Sequence, residues 1–284
     1  MHRHARVPLI GVVPSVARHN ACRVLASGRA FALVLAAASF VPFLHTPARA
    51  QTTEPPQAAA CPLEPKPNTL WSLAQCCAPN PSTSNECLYV DRGKGKFFIV
   101  KDTDKAKTNA YLIIPTDKVT GVDAPQIFND PVVNFWDYGW KESQYYLKKP
   151  KNLSTGLAIN SESVRDQNQL HIHISCVNPL VAKALADNDP NIAKATEANP
   201  FKLQLGTHNN IYEAVKVKSL TGDNSPFNVV RQFPHVQGDM KDQSIAVVES
   251  KIASGYYVLD NYYEAGIKHS GDAEELLDQN CPTK

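Results

Sequence analysis

Residues 169–176 read Gln169-Leu170-His171-Ile172-His173-Ile174-Ser175-Cys176, polar and apolar in strict alternation. A strand has a side-chain period of two, so Gln169, His171, His173 and Ser175 share one face and Leu170, Ile172, Ile174 and Cys176 the other. The apolar face belongs against a core. Around this strand the chain offers further strands at 96–101 (KFFIVK), 110–115 (AYLIIP) and 157–160. Asn178-Pro179 opens a short helix to about residue 187, with Pro at its first position. A longer helix is expected over 131–149, opened by Asp130 and Pro131. Beyond Pro200 the pattern turns to strands at 201–205, 212–219, 244–249 and 256–263. Adjacent strands with segregated helices make an α+β fold with a mainly antiparallel sheet. No internal repeat is visible at the residue level.

The composition is globular: 284 residues, 43% apolar and 20% charged. The net charge of +2 hides an asymmetry, because residues 1–50 hold six Arg and no acid. Without them 29 − 6 = 23 basic residues face 27 acidic ones, a net of −4. A body with that balance is a poor nucleic-acid binder. The first fifty residues read as an address. Basic Arg3–Arg29 precede the apolar run Ala30–Leu44, and Ala48-Arg49-Ala50 form a small-x-small cleavage pattern. An export signal is the expectation and a retained N-terminal anchor the alternative; both place the body on the periplasmic side of the inner membrane. Residues 51–69, rich in Pro, Gln and Ala, read as a linker. Residues 70–200 are expected to hold a cysteine-stapled lead and the core, and 201–284 a β-rich extension packed on it.

Six cysteines follow residue 50: Cys61, Cys76, Cys77, Cys87, Cys176 and Cys281. An even count in an exported chain points to disulfides, and six cysteines allow about 15 pairings. Four lie between 61 and 87, so two bridges are expected to staple the lead. Cys176 and Cys281 are left for a third. No C-x-x-C pair supports a zinc site.

Two imidazoles on one strand face admit several readings. They could be ordinary surface histidines. They could share a metal ion, with His208, His235 or a carboxylate as third ligand, although no spacing singles one out. A two-histidine phosphoesterase needs a second His-x-Ser/Thr, and none of His208, His235 or His269 supplies it. The remaining reading is nucleophilic: neutral imidazole attacks phosphorus, and the neighbouring polar groups hold the charge that develops.

With Asn160 eleven residues and Gln167 four residues before His171, and a strand ending at Pro115 upstream, the stretch resembles the signature of the histidine-triad superfamily of nucleotidyl hydrolases and transferases. The strings Leu157–Ser161 and His171–Cys176, with Pro115-Thr116 and Asn134-Phe135-Trp136, resemble more narrowly the CDP-diacylglycerol pyrophosphatase family. The resemblance implies cleavage of a lipid pyrophosphate in the bilayer to CMP and phosphatidate through a nucleotidyl-histidine, without cofactor or metal. It maps the nucleophile onto His173 and a supporting position onto His171. A register shifted back two residues would instead start at Gln169 and make His171 the nucleophile. Asn160, Gln167, Gln169 and Ser175 become candidates for phosphate contact, and Lys118 could approach the phosphate from its loop. Ser175 stands where a strict triad has a third histidine; a phosphate monoester leaves well, so a hydroxyl could suffice there. The alternatives are a nucleotidyl transferase or hydrolase of soluble nucleotide pyrophosphates, and a disulfide-stapled nucleotide- or lipid-binding module. The aromatic residues of the 131–149 helix, followed by Lys148, Lys149 and Lys151, read either as packing on the sheet or as a patch for the membrane surface.

Overall fold

A computed structural model describes residues 61–79, 86–129, 134–264 and 269–284. Residues 1–60, on which the export-signal expectation and most of the linker fall, lie outside them. Helix α1 (Thr69–Cys77) leads into strands β1 (Cys87–Asp91), β2 (Phe97–Lys101) and β3 (Tyr111–Pro115). Helices α2 (Gln126–Asn129) and α3 (Phe135–Tyr146) precede β4 (Thr155–Ile159) and β5 (Ile172–Val177). After α4 (Pro179–Asp187) and α5 (Asp189–Ile192) come β6 (Phe201–Leu205), β7 (Asn210–Val217) and α6 (Pro226–Val230). Strands β8 (Ile245–Glu249), β9 (Tyr256–Asp260), β10 (Tyr263–Glu264), β11 (His269–Ser270) and β12 (Leu277–Asp278) complete the chain.

Nine strands form one antiparallel sheet in the order β1-β2-β3-β5-β4-β8-β9-β7-β6, and β12 pairs with β5 as a tenth. The C-terminal strands therefore continue the core sheet; they are not an extension laid on it. The order also reveals a duplication that the residues hide. A hairpin, a helix and a second hairpin, β2-β3-α3-β4-β5, recur as β6-β7-α6-β8-β9, with corresponding strand orders 2-3-5-4 and 6-7-9-8. The halves meet where β4 pairs antiparallel with β8, Ala158 facing Ala246. Strand β9 (YYVLD) carries no histidine, so the chemistry of β5 is not repeated.

Both sheet faces are covered, which explains why these strands read as nearly continuous apolar runs. One face packs Ile113, Leu157, Ile172, Ile174, Val247 and Val258 against Trp136 of α3 and Phe227 of α6. The other packs Leu112 and Ile114 against α1, and Ala158, Ala246 and Leu259 against α4, α5 and the C-terminal segment. Helix α3 starts later than the sequence reading places it. Asn134 is its cap, its Oδ1 accepting from Asp137 N at 3.2 Å, while Asp130 and Pro131 lie outside the described residues. Its aromatics mostly pack: Trp136 is buried, Tyr138 stacks on Phe97 and Trp140 meets Tyr256 edge-on. Tyr145 is 66% exposed and lies under the Lys148 ammonium. Among the described residues no helix is long and apolar enough to cross a membrane.

Three disulfides join Cys61 to Cys76, Cys77 to Cys87 and Cys176 to Cys281. Residues 61–69, which composition places in the linker, are tied to the body. Cys61 is bridged to α1, Lys66 pairs with Asp166, and the Pro67 carbonyl accepts from Asn168 N at 3.0 Å.

Candidate active site

Strand β5 begins at Ile172, because the residues before it serve a loop. The Gln169 amide donates to the carbonyls of Pro115 and Asp117 at 3.0 and 2.8 Å and accepts from Val119 N at 3.3 Å. Leu170 N donates to the Val119 carbonyl at 2.6 Å. Gln169 thus fixes the turn that follows β3 and does not line the cavity. At the other end Ser175 is fully buried, and its one hydroxyl proton is shared between the carbonyls of Asn109 and Asp278, each 2.9 Å from Oγ. It anchors the C-terminal segment, a different place from the third catalytic position that the resemblance gave it. Lys118 lies above the Trp71 ring, 5.7 Å from its centroid, and lines a separate cleft with Lys96 and Phe135. Of the face expected from period two, only His171 and His173 open into the polar cavity beside β5.

That cavity measures about 280 Å³. Its floor is His173 with its cross-strand neighbour Leu112, and its walls come from α1, from the loop after β2 and from the C-terminal segment. The two imidazoles lie edge to face, with ring centroids 5.0 Å apart. Their surroundings differ. His171 Nδ1 lies 2.7 Å from the Gln169 carbonyl, whose oxygen can only accept, so Nδ1 carries the proton and Nε2 the lone pair. Burial, reinforced by His173 nearby, pushes the His171 pKa down to about 4. It is therefore neutral at pH 7.

His173 Nδ1 faces carboxylates instead, Glu274 Oε1 at 3.1 Å and Asp102 Oδ2 at 3.6 Å. The Lys107 ammonium bonds Glu274 and lies 3.3 Å from Asp102. Burial works against ionisation of Asp102, but the His173 imidazole 3.6 Å away, a hydrogen bond from the Asp104 backbone and the Lys107 ammonium hold its pKa at about 2. Glu274 is likewise held below the usual range: burial would raise it, and His173 and Lys107 outweigh that. Burial would lower the Lys107 ammonium, and Glu274 and Asp102 together hold it above its ordinary value. Asp102, His173 and Glu274 offer donor atoms within 4.8 Å of one another, a spacing a cation could share. The positive charge between these two carboxylates is supplied by Lys107.

Asn160 and Gln167 both line the cavity. Asn160 Oδ1 accepts from Ala273 N and Glu274 N at 3.0 and 3.2 Å, and its Nδ2 lies 3.4 Å from Glu274 Oε2. It builds the turn that presents Glu274. Gln167 Oε1 accepts from Leu70 N at 3.2 Å, which leaves its Nε2 donor without a partner among the described residues. Asp102, Lys107 and Glu274 escape a sequence reading altogether. They sit in charged loop stretches that look solvated, and only the β2-β3 and β5-β12 pairings gather them.

Two adjacent imidazoles in a polar cavity, one free of carboxylates and one backed by two, are the equipment of a histidine-dependent phosphoryl- or acyl-transfer enzyme. Comparison with known proteins narrows that class. Residues 65–284 match the model of the CDP-diacylglycerol pyrophosphatase family, and the chain belongs to that family. A CDP-diacylglycerol pyrophosphatase of Yersinia pestis is 29% identical over 224 residues, covering 75% of this chain and 84% of the relative. Among solved structures, yeast Ap4A phosphorylase is similar over 68% of this chain and 64% of its own, less than two thirds of its length. Its TM-score is 0.41 and its identity 10%.

Proposed function

We propose that the cavity hydrolyses CDP-diacylglycerol by histidine attack on the cytidylyl phosphorus, in the manner of the histidine-triad enzymes. Family membership supplies the overall reaction: the chain is an enzyme that hydrolyses the pyrophosphate of CDP-diacylglycerol. The observation that carries the mechanism is the pair of imidazoles 5.0 Å apart on the cavity floor. One imidazole attacks, phosphatidate leaves, and water then releases CMP from the nucleotidyl-histidine. The free Gln167 amide and the cations lining the cavity, Lys66, Lys107 and Arg165, are the groups available to the phosphate oxygens. The apolar run at residues 30–44 supports action at the outer face of the inner membrane, where the lipid lies.

The test is CMP release from CDP-diacylglycerol in detergent micelles, with EDTA present and a soluble cytidine diphosphate ester as competitor. Release with EDTA, undiminished by the competitor, agrees with the proposal. Recovery only on adding a divalent ion would move the chemistry to a metal held by Asp102, His173 and Glu274. Preferential cleavage of the soluble ester would make the lipid a secondary substrate.

A further inference from the structure

Strand β1 lies at an edge of the sheet, and it carries two large apolar residues in succession at the surface. Leu88 and Tyr89 are 41% and 40% exposed. Regular pleating would turn one of them inward. A bulge between Cys87 and Tyr89 breaks the alternation and brings both outward. Edge strands are ordinarily protected by charge or by cover, whereas this bulge presents apolar surface. It is held from α3, where the Tyr146 hydroxyl donates to the Leu88 carbonyl at 3.1 Å.

Helix α3 supplies the rest of a patch. Exposed Tyr145 meets Tyr146 edge-on, with ring centroids 4.8 Å apart, and Tyr146 lies 6.0 Å from Tyr111 of β3. Tyr89 pairs with Ile99 and its ring meets Phe97, so it stands on the α3 face of the sheet. Lys101 stands on the same face opposite Tyr111 and is exposed. The Lys148 ammonium sits 5.1 Å from the centre of the Tyr145 ring. Of the nearby acids, Asp91 holds the amides of Gly93 and Gly95, and burial, with Asp91 beside it, pushes the Glu142 carboxyl up. Apolar side chains, tyrosines and lysine ammoniums together are the composition of a membrane–water interface.

One loop joins this patch to the cavity. Residues 102–110 leave β2 after Lys101 and return to β3 at Tyr111. Asp102, Thr103, Asp104 and Lys107 of that loop wall the cavity, and the Asn109 amide donates to the Lys148 carbonyl at 3.1 Å. A lipid whose pyrophosphate enters the cavity still has its acyl chains in the bilayer. The protein surface beside the cavity therefore rests on that bilayer.

We propose that Leu88, Tyr89, Tyr145 and Tyr146, with Lys101 and Lys148, form the surface by which the body docks on a phospholipid bilayer. The rings and Leu88 enter the headgroup region, and the two ammoniums meet anionic lipid. This rests on the lipid substrate of the reading above and adds a contact separate from the N-terminal apolar run. CDP-diacylglycerol and phosphatidate are themselves anionic lipids, so the lysines also favour the molecules the enzyme acts on and releases.

The experiment is hydrogen exchange of the full chain, read by mass spectrometry, with vesicles of phosphatidylcholine alone or mixed with phosphatidylglycerol. Peptides covering residues 86–91 and 141–149 should gain protection on the mixed vesicles, and α4, which exposes Leu180, should not. Lys101→Gln/Lys148→Gln should weaken the docking read this way by roughly 10–30-fold. Leu88→Ser/Tyr145→Ser should raise the apparent KM for CDP-diacylglycerol in vesicles by about 10-fold and leave kcat/KM for a dissolved short-chain form unchanged. Protection at α4 alone, or at none of these peptides, would overturn the proposal. So would protection that grows with protein concentration in the absence of vesicles, which would give the surface to a second copy of the chain. Equal losses on the vesicle and dissolved substrates would make the patch a packing element only. The exchange measurement needs no turnover, so it judges the surface even if the hydrolysis reading fails.

Discussion

Replacing Cys176 and Cys281 by serine should damage stability and catalysis together. The bridge joins residues 105 apart in sequence. In the chain-entropy account, releasing a loop of that length from the unfolded state costs about 5 kcal/mol. The bridges of the lead, with separations of 15 and 10 residues, are worth about 3 kcal/mol each on the same basis. At roughly 2–4 °C per kcal/mol for a chain of this size, the melting temperature should fall by about 10–20 °C. The catalytic effect has a different origin. Cys281 closes the far end of the segment that carries Glu274; without the bridge the pairing of β12 with β5, the bonds from Ser175 and Asn109, and the Asn160 bonds at the Glu274 turn still hold it, so the carboxylate loses one of several restraints. A carboxylate displaced by about 1 Å from His173 should lower kcat by about 10- to 100-fold. The assay is thermal unfolding under non-reducing conditions beside CMP release at a temperature where each variant is folded, with Cys77→Ser/Cys87→Ser as control. Equal shifts in melting temperature for the two variants, with kcat unchanged in both, would refute the reasoning.

Other substitutions separate support from chemistry. Ser175→Ala should cost about 1–3 kcal/mol through the buried Asn109 carbonyl left without its donor, yet change kcat less than His173→Ala does; denaturant unfolding and CMP release measure the two. Asn160→Ala removes the acceptor of the Ala273 and Glu274 amides and should lower kcat by about 10-fold with little change in KM, read from steady-state kinetics. The Asp102 carboxyl titrates at about 2, below its ordinary 3.8, so its ionised form stabilises the fold. That stabilisation, about 2 kcal/mol, is fully present above pH 4 and is lost as pH falls toward 2. Asp102→Asn should flatten the acid limb of an unfolding-against-pH curve in that window.

The fold was legible wherever local pattern decides. Alternation from Ile172 to Cys176, the apolar strings at 96–101 and 110–115, and Asn178-Pro179 all correspond to observed elements, because strand period and helix capping are short-range properties. The cysteine count anticipated the third bridge because the lead used up the other four. The duplication was not legible. Packing on the two halves asks only for apolar residues of suitable size, and many sequences satisfy that. At the site, period two brought Gln169 and Ser175 onto the histidine face, but it cannot say how far a cavity extends along that face. Gln169 is taken by the loop after β3 and Ser175 by the C-terminal segment. Lys107 and Glu274 come from parts of the chain that meet only through the sheet, and a charged loop residue carries no local sign of its partner.

The most direct test of the central claim is a single turnover of CDP-diacylglycerol by the full chain in ¹⁸O-labelled water, with both products weighed by mass spectrometry. Histidine attack at the cytidylyl phosphorus followed by hydrolysis puts one ¹⁸O in CMP and none in phosphatidate. Label in phosphatidate would show attack at the lipid phosphorus and contradict the account.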